Sequence, residues 1–299
     1  MSQKMQKSEV RFSLVVPCFN EVDAIESTVS ELREKLVGCG PYELIIVDDG
    51  SNDGTDEKLS KLQQEDPELH VLTHARNRGY GAALKTGTVE AQAELIVITD
   101  ADCTYPNEVI PQLVDTAIES EADMVVGART GSDVTYSKLR AIPKVFLRRY
   151  ASWIAATNSP VFNSGLRVFK KAGAERYFYI LPNSFSFTLT ITLAMITNYH
   201  RVIYVPINYS ERVGSSKIRP IRDTLKFVQL ILRTGMYFAP LRVFFPFVTI
   251  LSLAFLASLS WDVFVINNLT DKTILLLLFT LNTGMFALLA DMIDKRSGS

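Results

Sequence analysis

Histidine and cysteine are scarce in this chain of 299 residues, which has three of each. His70, His74 and His200 are scattered and do not form, with the cysteines, the four-ligand pattern of a structural zinc site. Three cysteines, an odd number, fit a reducing compartment better than a disulfide framework. The formal net charge is −1 and 47% of residues are hydrophobic. These values exclude a strongly basic nucleic-acid binder and a disordered chain, so we expect no nucleic-acid partner.

Charged residues are absent from two long stretches near the C-terminus, residues 243–261 and 273–290. A transmembrane helix needs about 20 mostly apolar residues, and both stretches reach roughly that length. A helix buried in a soluble core is the alternative for either stretch alone. Two such stretches, joined only by residues 262–272, favour a transmembrane helical hairpin.

Basic residues lie on one side of this hairpin. Arg233 and Arg242 precede the first stretch, Lys295 and Arg296 follow the second, and the connector holds only Lys272. The positive-inside bias therefore predicts that the N-terminal part and the C-terminus are cytoplasmic. The first twelve residues lack the apolar core of a secretory signal peptide. We therefore expect an integral membrane protein whose soluble domain faces the cytoplasm.

Short apolar runs alternate with helical patterns between residues 11 and 130. This alternation predicts an α/β fold with a mainly parallel, Rossmann-like sheet that is covered on both faces. Right-handed crossovers would bring the carboxyl ends of the strands to one edge, where open α/β sheets bind ligands. The predicted strands are residues 11–16, 44–47, 69–73, 95–99 and 123–126.

Polar side chains follow all five predicted strands. The set consists of Asn20, Glu21, Asp48, Asp49, Arg76, Asn77, Asp100, Asp102 and Arg129. Any one of them would also suit a solvated loop, but together they predict a nucleotide and metal pocket. Asp100 and Asp102 stand one residue apart, and carboxylates are hard ligands that bridge Mg²⁺ or Mn²⁺ to substrate phosphates. An acidic metal site and a membrane anchor on one chain indicate a sugar nucleotide used at a bilayer.

The character of the sequence changes after residue 136. Residues 138–149 mix basic and apolar side chains, which suits either a solvated amphipathic helix or contact with anionic lipid or phosphate. Residues 218–241 have a similar mixture and predict helices on the membrane surface. We therefore expect a cytoplasmic catalytic domain over 1–217, interfacial helices over 218–241, and the hairpin with a short tail over 242–299.

Three segments, residues 15–21, 47–55 and 99–102, resemble glycosyltransferase family 2, whose members have the GT-A fold. Residues 163–169 and 212–217 are similar to segments of its polyprenyl-phosphate glycosyltransferases. That branch includes dolichyl-phosphate mannose synthases and bacterial enzymes that load glucose onto undecaprenyl phosphate. The resemblance covers roughly residues 11–220, and a C-terminal membrane hairpin also occurs in the branch.

The resemblance implies a donor site for a nucleotide sugar. Glu21 and Asp48 would contact the nucleoside, with Pro17 in the same wall. Asp100 would lie at the ribose or the metal, and Asp102 would bind Mg²⁺ or Mn²⁺ to the diphosphate. Three further candidates for donor binding come from the strand-end set: Asn20, Asp49 and Asn77.

The resemblance also implies catalytic cations and an acceptor site. Arg212 and Lys217 would close over the pyrophosphate. The acceptor phosphate would be held by Arg129, Arg140, Lys144 and Ser164. In dolichyl-phosphate mannose synthases a glutamine often stands two residues beyond the second aspartate of the metal motif, whereas this chain has Thr104 there. Some relatives of the branch are tetramers, so a homo-oligomer is a further expectation.

No aspartate or glutamate occurs between Glu175 and Glu211. Transferases that use a sugar hydroxyl usually place a catalytic carboxylate late in the GT-A domain. Its absence favours an acceptor phosphate, which is already ionised and needs positioning more than deprotonation. The leading hypothesis is metal-dependent, inverting transfer of a hexose from a UDP- or GDP-sugar to a polyprenyl phosphate. Transfer to a lipid or saccharide hydroxyl, and an inactive membrane scaffold, are the alternatives.

Overall fold

The computed structural model describes residues 10–102, 104–129, 153, 164–207, 229, 232–233, 235–237 and 239–297. The chain divides into two compact units. The first, which we call the sheet unit, contains Met1–Ser137 and Ser159–Ile218. The second, the hairpin unit, contains Lys138–Asn158 and Arg219–Ser299. The predicted boundaries at 217 and 241 stay predictions.

The sheet unit is built on a seven-stranded sheet. In chain order its strands are β1 (Phe12–Cys18), β2 (Tyr42–Asp48), β3 (Leu69–Thr73), β4 (Leu95–Ile98), β5 (Met124–Arg129), β6 (Arg167–Lys170) and β7 (Val202–Ile207). Their order across the sheet is β3-β2-β1-β4-β6-β5-β7. Only β6 runs antiparallel to its neighbours, β4 and β5. The parallel strands therefore end at a common edge.

Helices cover both faces of this sheet, as the alternating pattern predicts. They are α1 (Ile25–Lys35), α2 (Thr55–Glu65), α3 (Tyr80–Glu90), α4 (Ile110–Glu119), α5 (Lys171–Glu175) and α6 (Phe187–Thr197), with a 3₁₀ turn at Asn107–Val109. Successive strand side chains point to opposite faces. Leu14 and Val16 of β1 pack in one core with α1, α2 and α4, whereas Val15 packs in a second core with α3 and α6. Apolar residues on both faces explain the nearly continuous hydrophobic runs.

All five predicted strands are present, and their ends lie within three residues of the predicted ones. The prediction missed β6 and β7. Strand β6 has only four residues and two of them, Arg167 and Lys170, are basic, so it lacks an apolar run. Strand β7 contains Pro206 and lies at the edge of the sheet. Proline is tolerated there because an edge strand leaves some N–H groups unpaired.

The hairpin unit contains two long helices, α7 (Pro240–Trp261), which continues in a π-helical turn at Asp262–Ile266, and α8 (Asp271–Ser297). Windows of 18 residues within the helical stretches Pro240–Ile266 and Asp271–Ile293 have mean hydropathies of 2.1 and 2.0. Both stretches are long and apolar enough to cross a membrane, and they fit the predicted hairpin. The side chains that such a hairpin would present to lipid are exposed, including Leu253 and Phe279.

Candidate active site

The loops after β1 and β2 are joined by side-chain hydrogen bonds at the carboxyl edge of the sheet. The Asn52 N–H donates to Asn20 Oδ1 over 3.0 Å, and the Asn20 N–H donates to Ser51 Oγ over 2.9 Å. The Glu21 N–H donates to Thr55 Oγ1 over 3.0 Å. Asn20 has a φ of 56°, a left-handed conformation that asparagine tolerates better than most residues. Two predicted donor-site residues, Asn20 and Glu21, are thereby fixed next to the loop that follows Asp48.

Asp48 ends β2 and is almost completely buried. Its Oδ1 accepts hydrogen bonds from the N–H and the hydroxyl of Ser51. Its Oδ2 is buried and has no hydrogen-bond partner in the described part of the chain. A buried acceptor without a partner is costly, so this oxygen is suited to receive a donor from a ligand.

Pro17 and Cys18 of β1 lie opposite Val47 and Asp48 of β2, which places Pro17 beside the same pocket wall. The Cys18 thiol is also buried. Burial and the nearby carboxylates of Asp48 and Glu21 raise the pKa of Cys18 above its usual range. The thiol is therefore protonated at neutral pH and is a packing residue, because a nucleophilic cysteine must be a thiolate.

Asp49 serves the loops themselves. Its Oδ1 contacts His74 Nδ1 at 2.7 Å and accepts the Arg78 N–H at 2.9 Å, while its Oδ2 accepts the Gly79 N–H at 2.7 Å. The other ring nitrogen of His74 lies 2.9 Å from Thr86 Oγ1. Asp49 therefore ties the end of β2 to the start of α3. Its predicted role in donor binding stays a prediction.

Gly50 allows the loops after β2 and β3 to meet. It has a φ of +74°, and a Cβ added there would lie 2.6 Å from the Arg76 carbonyl carbon and 2.8 Å from the Asn77 nitrogen. Any other residue would clash with backbone in a conformation that L-residues rarely adopt. This close approach brings Asn77, another predicted donor-site residue, to the loop that carries Asp48 and Asp49.

Asp100 and Asp102 follow β4. The Tyr80 hydroxyl donates to Asp100 Oδ1 over 3.0 Å. A Cβ added at Gly165 would lie 3.0 Å from Asp100 Oδ2, and the Gly165 N–H donates to the Tyr105 hydroxyl over 2.6 Å. The structure thus places the loop before β6 directly against the Asp100 carboxylate.

Asp102 has its partner within its own turn. Its Oδ1 accepts hydrogen bonds from the N–H and the hydroxyl of Thr104, at 3.2 and 2.5 Å. Thr104, which stands where a glutamine often occurs in mannose synthases, therefore orients the carboxylate of Asp102. A contact between Thr104 and a metal would be an additional role.

The fit of a metal ion depends on this donor set. In the described residues no group of three or more histidine, cysteine, aspartate or glutamate side chains could hold a metal ion. Mg²⁺ is usually held by only one or two carboxylates, together with waters and substrate phosphates. Asp100 and Asp102 fit a divalent cation of that kind, one that arrives with a phosphorylated ligand.

A cationic side chain, Arg167, lies near Asp100 and is completely buried. It pairs with Ile98 across β6 and β4. Its guanidinium donates to the carbonyl oxygens of Ser164 and Thr188, and to Thr192 Oγ1 over 2.8 Å. Burial lowers the pKa of Arg167 to about 10, opposed by nearby tyrosines and Asp100. The group is therefore a fixed positive charge at neutral pH.

Aromatic side chains complete this side of the site, and the sequence predicts no role for them. The rings of Tyr80 and Phe185 are stacked, with centroids 5.0 Å apart and an interplanar angle of 17°. Burial, and then the neighbouring Asp100 carboxylate, raise the pKa of Tyr80 well above its usual range. The hydroxyl therefore remains a hydrogen-bond donor. The neutral, aromatic composition of residues 182–188 is the only sequence signal for this contact.

The predicted acceptor residues are only partly described. Arg129 ends β5 at the carboxyl edge, but its side chain lies outside the description. Ser164 is buried, and its hydroxyl has no hydrogen-bond partner among the described residues. It precedes Gly165, so it lies close to Asp100. Four predicted residues lie outside the described ranges: Arg140, Lys144, Arg212 and Lys217.

Comparisons with solved structures match this architecture. A glucosyl-3-phosphoglycerate synthase from Mycobacterium tuberculosis, solved with Mn²⁺, UDP and glucosyl-3-phosphoglycerate, aligns with a TM-score of 0.55 and 19% identity. The alignment covers 75% of this chain and 79% of that chain. At this identity the similarity shows the fold alone, which is the GT-A fold.

Comparisons of sequence identify the family. The sequence model of Glycosyl transferase family 2 matches residues 13–178. A dolichol-phosphate mannosyltransferase of Pyrococcus furiosus is 30% identical over 218 residues, which are 70% of this chain and 60% of that protein. An undecaprenyl-phosphate 4-deoxy-4-formamido-L-arabinose transferase of Pectobacterium atrosepticum is 30% identical over 251 residues. The alignment covers 77% of this chain and 69% of that protein. The chain therefore belongs to glycosyl transferase family 2 and is a glycosyltransferase.

Proposed function

We propose that this protein transfers a hexose, with inversion, from a UDP- or GDP-sugar to a polyprenyl phosphate at the cytoplasmic face of a membrane. The observation that carries the proposal is the presence on one chain of the acidic strand edge and two exposed apolar helices. Relatives named for dolichol phosphate and undecaprenyl phosphate support a polyprenyl acceptor.

The nucleoside of the donor would bind at the ends of β1 and β2. Asp48 Oδ2 is a buried acceptor without a partner in the described residues, and an N–H group of the nucleobase would satisfy it. Pro17 and Glu21 would form the adjoining wall, with Asn20 and Asn77 at its rim. Asp49 would contribute indirectly, because its carboxylate holds the loop that carries Asn77.

The diphosphate of the donor would lie at Asp100 and Asp102, which would hold Mg²⁺ or Mn²⁺. The cation, when bound, would neutralise charge on the leaving diphosphate as a Lewis acid. Arg212 and Lys217 would add positive charge to the same group, which stabilises negative charge as it develops. Tyr80 and Thr104 hydrogen-bond to the two carboxylates and would restrict their rotation.

The acceptor phosphate would bind near Ser164, whose hydroxyl is buried without a partner in the described residues. Arg129, with Arg140 or Lys144, would supply the positive charge that holds a phosphate. A phosphate monoester is already ionised near neutral pH, so no general base is required. The absence of acidic residues between Glu175 and Glu211 supports this kind of acceptor.

The hairpin would keep this site at the membrane surface where a polyprenyl phosphate is found. The excess of basic residues outside the connector supports a cytoplasmic catalytic domain. Assembly of several copies, as in some relatives, is part of the proposal and would be checked by the mass of the detergent-solubilised protein.

The test follows labelled sugar from a panel of UDP- and GDP-sugars into undecaprenyl or dolichyl phosphate, with the full chain in detergent and MnCl₂. We expect one donor to label the lipid in a metal-dependent reaction. Asp102→Asn should lower the rate about 100-fold or more, because it removes a charged ligand of the cation that would neutralise the diphosphate. Asp56→Asn, a matched change at an exposed aspartate of α2, should leave the rate unchanged.

Three results would contradict the proposal in different ways. Labelling of a lipid or saccharide hydroxyl instead of polyprenyl phosphate would favour the alternative transferase. No binding of any nucleotide sugar would favour the scaffold. Normal transfer by a folded Asp102→Asn variant would contradict the proposal that Asp102 binds the metal ion.

A further inference from the structure

We propose that Tyr80 and Phe185 form a positioning pair that fixes the Asp100 carboxylate for a divalent cation bound with a nucleoside diphosphate. The inference rests on the proposed function, because it assumes that Asp100 receives such a cation. It assigns roles to two residues that stand outside the acidic motif and come from different parts of the chain.

The first step is the contact between Tyr80 and Asp100. Tyr80 is the first residue of α3, and its hydroxyl donates to Asp100 Oδ1 over 3.0 Å. The other oxygen, Oδ2, lies near the backbone of Gly165, because a Cβ added at Gly165 would be 3.0 Å from Oδ2. One carboxylate oxygen is therefore held by a hydroxyl, and the other lies close to the Gly165 backbone. Partners of this kind orient metal-binding carboxylates in proteins.

The second step is the contact between Phe185 and Tyr80. The stacked geometry of the two rings is one that aromatic pairs favour. Phe185 is nevertheless 80% exposed, so burial of its own surface does not explain its position. Its stacking against Tyr80 restrains the ring that carries the hydroxyl. Loss of this ring would leave Tyr80 free to move its hydroxyl away from Asp100.

The third step is how the chain holds Phe185 in place. A Cβ added at Gly79 would lie 2.1 Å from the Asn183 carbonyl oxygen, and one at Gly81 would lie 2.2 Å from that of Pro182. The Gly81 N–H donates to the Asn183 carbonyl oxygen over 3.1 Å. Lys85 of α3 donates to Asn183 Oδ1 over 2.9 Å. The segment before Phe185 is thus seated on the first turn of α3, the same turn that carries Tyr80.

The experiment measures Mn²⁺ binding directly, without turnover. MnCl₂ is titrated into the full chain in detergent with UDP or with GDP, and free Mn²⁺ is followed by its electron paramagnetic resonance signal. Tyr80→Phe keeps the ring and its stacking but removes the hydroxyl. We expect a loss of Mn²⁺ affinity of about 10- to 100-fold, the usual effect of removing a partner of a metal ligand.

The stacking contact is tested separately. Phe185→Leu should weaken Mn²⁺ binding about 2- to 10-fold, as expected for the loss of one aromatic pair. Phe185→Tyr keeps the ring and should bind Mn²⁺ with the affinity of the wild type. Two matched controls should bind as the wild type does. Tyr177→Phe removes a hydroxyl that lies 3.0 Å from His200 Nε2, and Tyr179→Leu removes an aromatic ring that is 71% exposed.

Unchanged Mn²⁺ affinity in Tyr80→Phe, an equal loss in Tyr177→Phe, or no Mn²⁺ binding by the wild type would each overturn the inference. Melting temperatures of all variants separate a local effect from unfolding. The transfer assay separates this inference from the proposed function. Weakened Mn²⁺ binding in Tyr80→Phe without transfer to any polyprenyl phosphate would support the positioning pair and contradict the acceptor. Transfer to a polyprenyl phosphate by the wild type, with unchanged Mn²⁺ affinity in Tyr80→Phe, would support the acceptor and contradict the positioning pair.

Discussion

The sheet unit and the hairpin unit both contain leucine and phenylalanine, but they place these side chains differently. Leu14 and Phe12 in the sheet are 0% exposed, whereas Leu253 and Phe279 in the hairpin are 62% and 60% exposed. Burial away from water is the main stabilising contribution in a soluble domain. In the hairpin, by contrast, exposed apolar side chains extend along two long helices, which is typical of contact with lipid. Apolar composition therefore stabilises the fold in one unit and indicates the surroundings of the protein in the other.

The largest difference between the two units should appear when a leucine is truncated. Leu14→Ala removes a fully buried side chain and should lower the free energy of unfolding by about 2–5 kcal/mol. Leu253→Ala should change it by less than about 1 kcal/mol, because surface substitutions have small effects. Thermal melting in detergent measures both. Equal losses would mean that Leu253 packs in a protein core, which would contradict a lipid-facing hairpin.

The sheet unit also buries a cation, Arg167. Arg167→Met should lower the free energy of unfolding by about 3 kcal/mol, because the carbonyl oxygens of Ser164 and Thr188 lose a buried donor. Arg201→Met, at an exposed arginine of the same unit, is the matched control and should have little effect. If both variants melt at the wild-type temperature, the hydrogen bonds of Arg167 contribute nothing to stability.

These comparisons also show how much the sequence determines. The apolar runs predict five strands, and the polar residues after them predict the acidic edge. Both can be read from short stretches of sequence, because each depends only on neighbouring residues. Arg167 follows neither pattern. It is a cation inside a strand, and its donors are satisfied by backbone and hydroxyl oxygens of residues up to 25 positions away. Tyr80 and Phe185 meet across more than 100 residues, so no local pattern predicts their contact.

Each unit also uses a carboxylate to bind the backbone just before a helix. Asp49 accepts the N–H groups of Arg78 and Gly79 before α3, and Asp262 accepts the Thr270 N–H before α8. Asp262 also accepts the hydroxyls of Thr270 and Thr273. The difference lies in the accepting oxygens. Both carboxylate oxygens of Asp49 accept a backbone N–H, whereas the three hydrogen bonds of Asp262 all reach Oδ2.

This difference predicts unequal effects of removing the charge. Asp49→Asn should lower the free energy of unfolding by about 1–3 kcal/mol, because an amide nitrogen would face a backbone donor. Asp262→Asn should have a smaller effect, because the amide oxygen can take the place of Oδ2 and keep its three donors. The amide nitrogen then replaces Oδ1, which accepts no hydrogen bond from the described residues. The melting temperatures of the two variants test this order. A larger loss for Asp262→Asn would mean that the hairpin turn depends on the negative charge itself.

The smallest expected difference concerns acid, and it involves Asp123 in the sheet unit. Burial opposes its ionisation, but the Arg201 N–H at 3.0 Å and the Lys170 ammonium at 3.2 Å outweigh burial and lower the pKa of Asp123. A carboxylate whose pKa is lowered in the folded protein stabilises the fold at pH values above its ordinary pKa, about 3.8. It loses that contribution as the pH falls through its lowered pKa in the folded state. Asp123→Asn should therefore melt below the wild type at pH 7, and the gap should narrow toward pH 3. The exposed Asp56→Asn should show no such gap at either pH. A gap for Asp123→Asn that stays constant with pH would mean that its shape, rather than its charge, stabilises this part of the sheet.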